Sequence, residues 1–265
     1  MNRNESSGWK EYFVYNFQDI SLAASLGTAF EDVVVRFDSD ADFEGMKLIH
    51  VATDSRIYVR MSDDAIGRQY QNSRVDLRAI SGTRLFTSGV VDVGIHPNNF
   101  IPAIMTVPML IKAATSFTVQ FADFSNAANS VRLAIHGAKI RAGVAPWNKK
   151  WAARIPFWYT NTVTLDANGS SSFTISTNMD SAFLIQKITG TRTGAATINI
   201  IDGATSRAWM DRPMHIDNIV GNSQYPNIMT APRFVPRGSV VNVQLTDLSG
   251  EENVIELIFH GQKLY

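Results

Sequence analysis

The C-terminal part of the chain repeats an earlier part without a gap. Residues 226–264 match residues 102–140 at a constant shift of 124 positions. PAIMTVP at 102–108 returns as PNIMTAP at 226–232, and IHGAKI at 135–140 returns as FHGQKL at 259–264. A period of this length exceeds the unit of any solenoid repeat. The repeat therefore predicts two copies of one domain in the 265 residues.

Both copies read as short β-strands separated by turn residues. Residues 131–135 (VRLAI) and 255–259 (IELIF) alternate with period two and keep their apolar residues in phase, while Arg132 on the other face becomes Glu256. A slip of one residue would invert the two faces, so the preserved phase indicates a preserved fold. Many short strands with Gly, Pro, Asn and Asp in the turns between them indicate a sandwich or barrel. The predicted class is all-β: two tandem similar antiparallel β-sandwiches with few short helices.

The repeat also sets the predicted domain boundaries. We expect an N-terminal arm at 1–11, a first domain at 12–140, a basic and aromatic linker at 141–154 and a second domain at 155–265. The shift is larger near the start of the chain: FEGMK at 43–47 precedes FLIQK at 183–187 by 140 positions, whereas RLF at 84–86 precedes its match RAW at 207–209 by 123. The falling shift predicts about sixteen extra residues in the first copy, placed at 50–75.

Composition excludes several classes of function. Twenty-four basic and 24 acidic residues leave no net charge, which argues against direct nucleic-acid binding. Without cysteine there is no disulfide, thiolate nucleophile or cysteine zinc site. Residues 1–8 are polar and no stretch reaches 18 apolar residues, so we expect no signal peptide, no transmembrane segment and synthesis in a cytoplasm.

Ten residues shared by the two copies form a structural repeat signature, in which the proline-bounded segments at 102–108 and 226–232 are the most specific local signal. The set consists of Pro102, Met105, Pro108, His136 and Gly137, and of Pro226, Met229, Pro232, His260 and Gly261. Paired prolines favour a strand edge or corner, with the Ile and Met between them (Ile104, Met105, Ile228, Met229) plugging the core. The two His-Gly pairs are interpreted as structural, with Gly supplying a backbone angle that other residues avoid.

Metal and enzyme signals are weak. Asp38, Asp40 and Asp42 resemble the opening of a calcium loop, but Phe43 and Ile49 stand where such a loop needs Gly and Glu. A turn is the preferred interpretation, and no metal or other cofactor is predicted. No nucleophile elbow, phosphate loop or dinucleotide fingerprint occurs, so the prediction is a chain that is not an enzyme and has no small-molecule substrate. A β-sandwich hydrolase with two distant carboxylates stays an alternative.

Exposed aromatic residues would support a second alternative, a carbohydrate- or receptor-binding module. The candidate platform residues are Trp9, Tyr12, Trp147, Trp151, Trp158 and Tyr159. Core or interface packing is the commoner use of such side chains.

The duplicated ends, 119–139 and 243–263, with the proline-bounded segments before them, resemble the double jelly-roll structural proteins of bacterial viruses. The resemblance implies two jelly rolls side by side, three subunits in a pseudo-hexagonal capsomer, and a location in the virion. The function predicted first is therefore a bacteriophage major capsid subunit. Its partners would be further copies of itself, as a trimer or higher assembly, and other virion proteins. A collar, neck, decoration or tail subunit is the alternative within the same class.

Overall fold

The computed structural model describes residues 10–52, 56–64, 66–83, 103–141, 154–222 and 227–265. The chain divides into two compact units. Unit 1 comprises Met1–Gln69 and Asp76–Ala152, and unit 2 comprises Tyr70–Val75 and Ala153–Tyr265. The predicted arm at 1–11 and linker at 141–154 lie largely outside the described residues.

The first copy contains ten strands and one short helix among the described residues. They are β1 (Lys10–Leu22), β2 (Phe30–Arg36), β3 (Ala41–Ala52), β4 (Ile57–Asp63), β5 (Arg68–Gln69), β6 (Val75–Asp76), α1 (Leu77–Ile80), β7 (Gly82–Thr83), β8 (Ala103–Ile111), β9 (Ser116–Asp123) and β10 (Asn129–Arg141).

The second copy follows the same order. Its elements are β11 (Arg154–Leu165), β12 (Ser170–Ser176), β13 (Ala182–Arg192), β14 (Ala196–Asp202), β15 (Arg207–Ala208), β16 (Met214–His215), a 3-10 helix (Ile216–Asn218), β17 (Asn227–Val235), β18 (Val240–Asp247) and β19 (Asn253–Leu264). In the part of the chain that the structure describes, no helix is long and apolar enough to span a bilayer.

Each copy is a sandwich of two antiparallel sheets with jelly-roll connectivity. One sheet has the order β1-β10-β3 with β8 beside β3, and its counterpart is β11-β19-β13-β17. The other sheet has the order β2-β9-β4-β5, and its counterpart is β12-β18-β14-β15. The predicted fold, two tandem jelly rolls with few short helices, is confirmed.

The sheets form because their strands alternate buried and half-exposed residues. In β4 every second side chain from Ile57 to Asp63 is buried, and β14 repeats the pattern. Unit 1 buries Phe43, Phe117 and Phe121 completely. The core of unit 2 likewise buries Phe183 and Phe259, together with a group of isoleucines. Each apolar core therefore lies between the two sheets of its own sandwich.

The predicted position of the extra residues, 50–75, is wrong. β4, β5 and β6 precede β14, β15 and β16 by a constant 139 positions, whereas β8 precedes β17 by 124. The insertion therefore follows α1 and precedes β8. The counterpart of residues 207–209 is 68–70 rather than 84–86. β5 and β6 have two residues each, which is too short for an alternating pattern to identify them.

Candidate functional site

The acidic residues after β2 form hydrogen bonds and ion pairs within their own unit. The Asp38 carboxylate forms an ion pair with Lys139 and accepts a hydrogen bond from the Tyr15 hydroxyl at 3.1 Å. The hydrogen bond from Lys139 holds the pKa of Asp38 below its usual range. Asp42 accepts hydrogen bonds from the backbone N–H of Ala113 (2.9 Å) and from Lys112 Nζ (2.8 Å). Among the described residues no group of three or more acidic or histidine side chains is placed to hold a metal ion.

The two His-Gly pairs lie at matching β-bulges. The pairing of β10 with β3 shifts between His136 and Gly137, and Gly261 of β19 lies opposite Ile185 at the shift in β13. A Cβ on Gly137 would lie 2.0 Å from the Glu44 carbonyl oxygen, and one on Gly261 would lie 2.1 Å from that of Leu184. Neither glycine has a positive φ, so the expected backbone angle is wrong. Glycine is required because the neighbouring backbone approaches too closely for any side chain.

The histidines of these pairs have different surroundings. His136 is half-buried, and its Nδ1 lies 2.6 Å from the hydroxyl of Tyr12, which is 67% exposed. His260 is 2% exposed, and its Nε2 lies 2.6 Å from Thr189 Oγ1. Burial holds the pKa of His260 well below its usual value, so this ring is neutral.

The proline-bounded segments form edge strands with a broken register. In β17, Arg233 pairs with Ile185 and Ile228 pairs with Lys187. The four residues between Ile228 and Arg233 therefore bulge out opposite a single residue of β13. Pro232 lies in this bulge and is exposed, whereas Met229 packs against the core. Ile228 is 64% exposed, so the expectation that it plugs the core is wrong. Pro102 and Pro226 lie outside the described residues, as do the side chains of Ile104 and Met105.

A buried polar corner recurs in both copies and was not singled out as a site from the sequence. Ser125 N–H and Oγ both donate to Asp123 Oδ1, at 2.6 and 2.7 Å, and Asn129 Nδ2 donates to the other carboxylate oxygen. The second copy has the same three residue types, but there the N–H and Oγ of Ser249 and the Nδ2 of Asn253 all donate to one oxygen, Asp247 Oδ1. The signal that identifies it is the spacing Asp-x-Ser-x-x-x-Asn at the same place in each copy.

The corner in the second copy has a strongly stabilised carboxylate. Asp247 also accepts from the N–H groups of Asn168 (3.0 Å) and Gly250 (2.9 Å). Hydrogen bonds, chiefly the one from the Ser249 hydroxyl, hold the pKa of Asp247 far below its usual range. The corner connects the start of β19, at Asn253, to the loops that contain Asn168 and Gly194. Its role is therefore structural.

A histidine–serine pair in the first unit was also missed. His50 Nδ1 contacts Ser81 Oγ, and Ser81 in turn donates to the Leu77 carbonyl at 2.7 Å. Because the serine proton is used there, His50 must donate from Nδ1. Both residues are buried, at 1% and 0% exposure, and burial lowers the pKa of His50 to about 4. A serine that no substrate reaches cannot act as a nucleophile, so the pair anchors α1 to β3.

Two of the six residues of the predicted aromatic platform are buried and cannot form a binding surface. Trp158 and Tyr159 are 4% and 2% exposed, whereas Tyr12 is 67% exposed. Tyr159 lies in the core of unit 2 and exchanges hydrogen bonds with Asn178. Trp9, Trp147 and Trp151 lie outside the described residues. Trp158 and Tyr159 are therefore packing residues.

The two copies differ in what lies along the outer edge of their first strand. Residues 70–72, which belong to unit 2, lie alongside β11. Trp158 N–H donates to the Tyr70 carbonyl at 3.0 Å, and Asn72 N–H donates to the Trp158 carbonyl at 3.4 Å. The Asn72 amide also bonds Thr160, accepting from its N–H at 2.8 Å and donating to its carbonyl at 3.1 Å. Within the described residues, β1 pairs with β10 alone.

Comparisons with known proteins show similarity in fold. No protein-family model matches the chain, and no curated protein matches it. It is similar to the major capsid protein P2 from bacteriophage PM2, at 13% identity and a TM-score of 0.45, over 96% of this chain and 98% of that one. It is similar to a chain in the atomic structure of Sulfolobus turreted icosahedral virus, at 6% identity and a TM-score of 0.45, over 96% and 91% of the two chains. It is also similar to PBCV-1 VP54, fitted into a reconstruction of the virophage Sputnik, at 6% identity and a TM-score of 0.39, over 97% and 95%.

Proposed function

We propose that this chain is a non-enzymatic virion structural protein, a capsid-type subunit that assembles with further copies of itself. The observation that carries the proposal is the duplication along the whole chain. Each long strand of the first sandwich has a counterpart in the same sheet position of the second. Two fused copies of one fold give a subunit two similar contact surfaces, and rotationally related contacts of this kind close into rings or shells.

The surfaces of the two copies support an assembling subunit. The outward face of β11 and β19 carries buried apolar residues, Trp158 at 4% and Ile258 at 0% exposure. The equivalent face of β1 and β10 carries half-exposed Val14 and Ala134 and an exposed Tyr12. An apolar face that is covered in one copy and open in the other suits a subunit whose second face is covered by a neighbour. The finer proposal is a bacteriophage major capsid subunit that forms a trimer or higher assembly with other virion proteins as partners.

The oligomeric state of the full chain tests the proposal. We expect light scattering after size exclusion at micromolar concentration to give a stable multimer of the 29.3 kDa chain. Electron microscopy of the same sample separates a shell lattice from a collar-type ring or a spike. A monomer that persists over a hundredfold concentration range refutes the proposal. Saturable binding of a glycan by that monomer would instead favour the carbohydrate-binding alternative.

A further inference from the structure

The edge of β11 is already occupied in a way that β1 is not. Residues 70–72 satisfy the outward N–H and C=O groups of Trp158 and Thr160. The pairing is a parallel bridge between Gln71 and Trp158. An extended segment that adds to a sheet edge in this manner gains affinity through backbone hydrogen bonds, and side chains at alternate positions give it specificity.

Val14 and Asn16 occupy the same places in β1 as Trp158 and Thr160 in β11. Val14 lies opposite His136 in the sheet, and Trp158 lies opposite His260. The outward backbone groups of these two residues of β1 therefore present the same donors and acceptors. Within the described residues no strand lies on that side of β1. An edge of this length without a partner favours pairing with another chain.

The second copy contains a counterpart of residues 70–72, namely residues 209–211. Each segment directly follows a matching two-residue strand, β5 or β15. Trp209 packs against Phe259 of its own unit, as a T-shaped ring pair with centroids 6.4 Å apart. Asp211 extends outward, with its side chain 74% exposed. The anchor of this segment is thus fixed, while its tip is accessible.

We propose that residues 209–211 of one copy of the chain bind the edge of β1 in a second copy, reproducing the pairing of residues 70–72 with β11. This inference rests on the proposed function and names the contact through which the subunits assemble. The two surfaces are different, so the contact is head-to-tail, and a closed ring follows if the rotation per subunit divides a full turn. Tyr12, which is exposed, and the half-buried His136 then lie beneath or beside the added segment.

Residues 209–211 differ from residues 70–72 in sequence. These differences predict that the contact with β1 is weaker than the contact of residues 70–72 with β11. Asp211 replaces Asn72, so its carboxylate can accept the Asn16 N–H but cannot donate to the Asn16 carbonyl. Met210 replaces Gln71; it is half-buried and packs against the core of its own unit, so the contact with Val14 is made chiefly by the backbone of the segment. One side-chain hydrogen bond is therefore missing, which suits subunits that must assemble reversibly before a shell closes.

Cysteine cross-linking tests the contact directly, because the chain has no cysteine of its own. The double variant Val14→Cys/Met210→Cys, oxidised at micromolar concentration, should give a ladder of covalent multimers on non-reducing gels. The matched control, Val14→Cys/Leu248→Cys, uses another exposed position and should stay monomeric on the same gel. A multimer by light scattering whose 14/210 variant cross-links no better than the 14/248 control overturns this inference and leaves the proposed function standing. A wild-type chain that is monomeric overturns both.

Single substitutions give an independent readout. Asp211→Asn restores the missing donor and should tighten the assembly roughly threefold to tenfold in dissociation constant, the equivalent of one added hydrogen bond. Asp211→Lys should weaken it by tenfold or more because the acceptor is lost. Glu252→Gln and Glu252→Lys make the same charge changes on an exposed loop and should leave the constant unchanged. Equal effects at 211 and 252 would mean that net charge governs assembly, which overturns the inference.

Discussion

The buried corner of the second copy allows one prediction to be worked out in detail. Asn253 is 0% exposed and its side chain makes four hydrogen bonds. Its Oδ1 accepts from Gly194 N–H at 2.8 Å and from Thr193 Oγ1 at 3.3 Å. Its Nδ2 donates to the Ala195 carbonyl at 3.0 Å and to Asp247 at 3.1 Å. Replacement by alanine removes all four and leaves the Gly194 N–H and Ala195 carbonyl without these partners.

The expected loss of stability follows from the bonds other than that to Asp247. Each contributes about 1 kcal/mol net, and a buried partner left unsatisfied costs about 1–3 kcal/mol. Asn253→Ala should therefore lower the free energy of unfolding by about 3 kcal/mol, a large part of the roughly 5–15 kcal/mol typical of a domain. Asn253→Asp keeps the size but places a second carboxylate beside Asp247, so at pH 7 it should cost at least as much.

Urea unfolding followed by far-UV circular dichroism and by tryptophan fluorescence measures this change. Asn242→Ala in β18, which removes a single exposed hydrogen bond donated by Thr174 of the neighbouring strand β12, is the matched control and should stay within about 0.5 kcal/mol of wild type. Because the two units can unfold separately, the transition assigned to unit 2 is the one to compare. If Asn253→Ala differs from Asn242→Ala by less than about 1 kcal/mol, the corner does not stabilise the fold as argued.

Three further predictions concern the bulge and two buried ionisable groups. Gly261→Ala should destabilise unit 2 by about 2 kcal/mol or more in urea unfolding, because its Cβ would lie 2.1 Å from the backbone oxygen of Leu184; a change below 0.5 kcal/mol would contradict this. Burial lowers the folded-state pKa of His50 to about 4 against 6.5 when unfolded, so its contribution of about 3 kcal/mol is present above pH 6.5 and is lost as the pH falls toward 4. His50→Gln should flatten that part of the stability profile, and an unchanged slope would refute the assignment. Burial also lowers the pKa of Lys187 from 10.5 to about 8, so wild type should gain stability between pH 8 and 10 while Lys187→Met, compared at each pH, should not.

The arrangement of the long strands was predictable from the sequence because buried and exposed residues alternate along them. β10 and β19 keep their buried residues in phase over a whole strand, and that phase determines which side of each sheet meets the core. β5 and β6 were not predictable, since two residues carry no period. Their misassignment moved the insertion from its actual place after α1 to residues 50–75.

The candidate sites were harder to predict because their partners are distant in sequence. His50 and Ser81 are 31 positions apart and nothing local links them. Gly137 and Gly261 were identified as structural from the repeat. The reason for glycine lies in the carbonyl of the adjacent strand, which sequence alone does not locate.

The two copies conserve their inner corners and diverge on one outer face, and this pattern bears on what the duplication is for. Arg132 is exposed in β10, whereas its counterpart Glu256 is 1% exposed and lies within 3.5 Å of the Thr160 and Thr191 hydroxyls. Val14 is half-exposed where Trp158 is buried. Selection for the fold alone would let both outer faces drift as solvated surface. In the second copy, the buried Trp158 and the hydrogen-bonded Glu256 instead indicate that the outer face of β11 and β19 is covered within the chain. The smaller residues around Val14 leave room on the other copy, and residues 209–211, with Met210 half-buried against the core of its own unit and Asp211 exposed, form a segment of the right length to fill it.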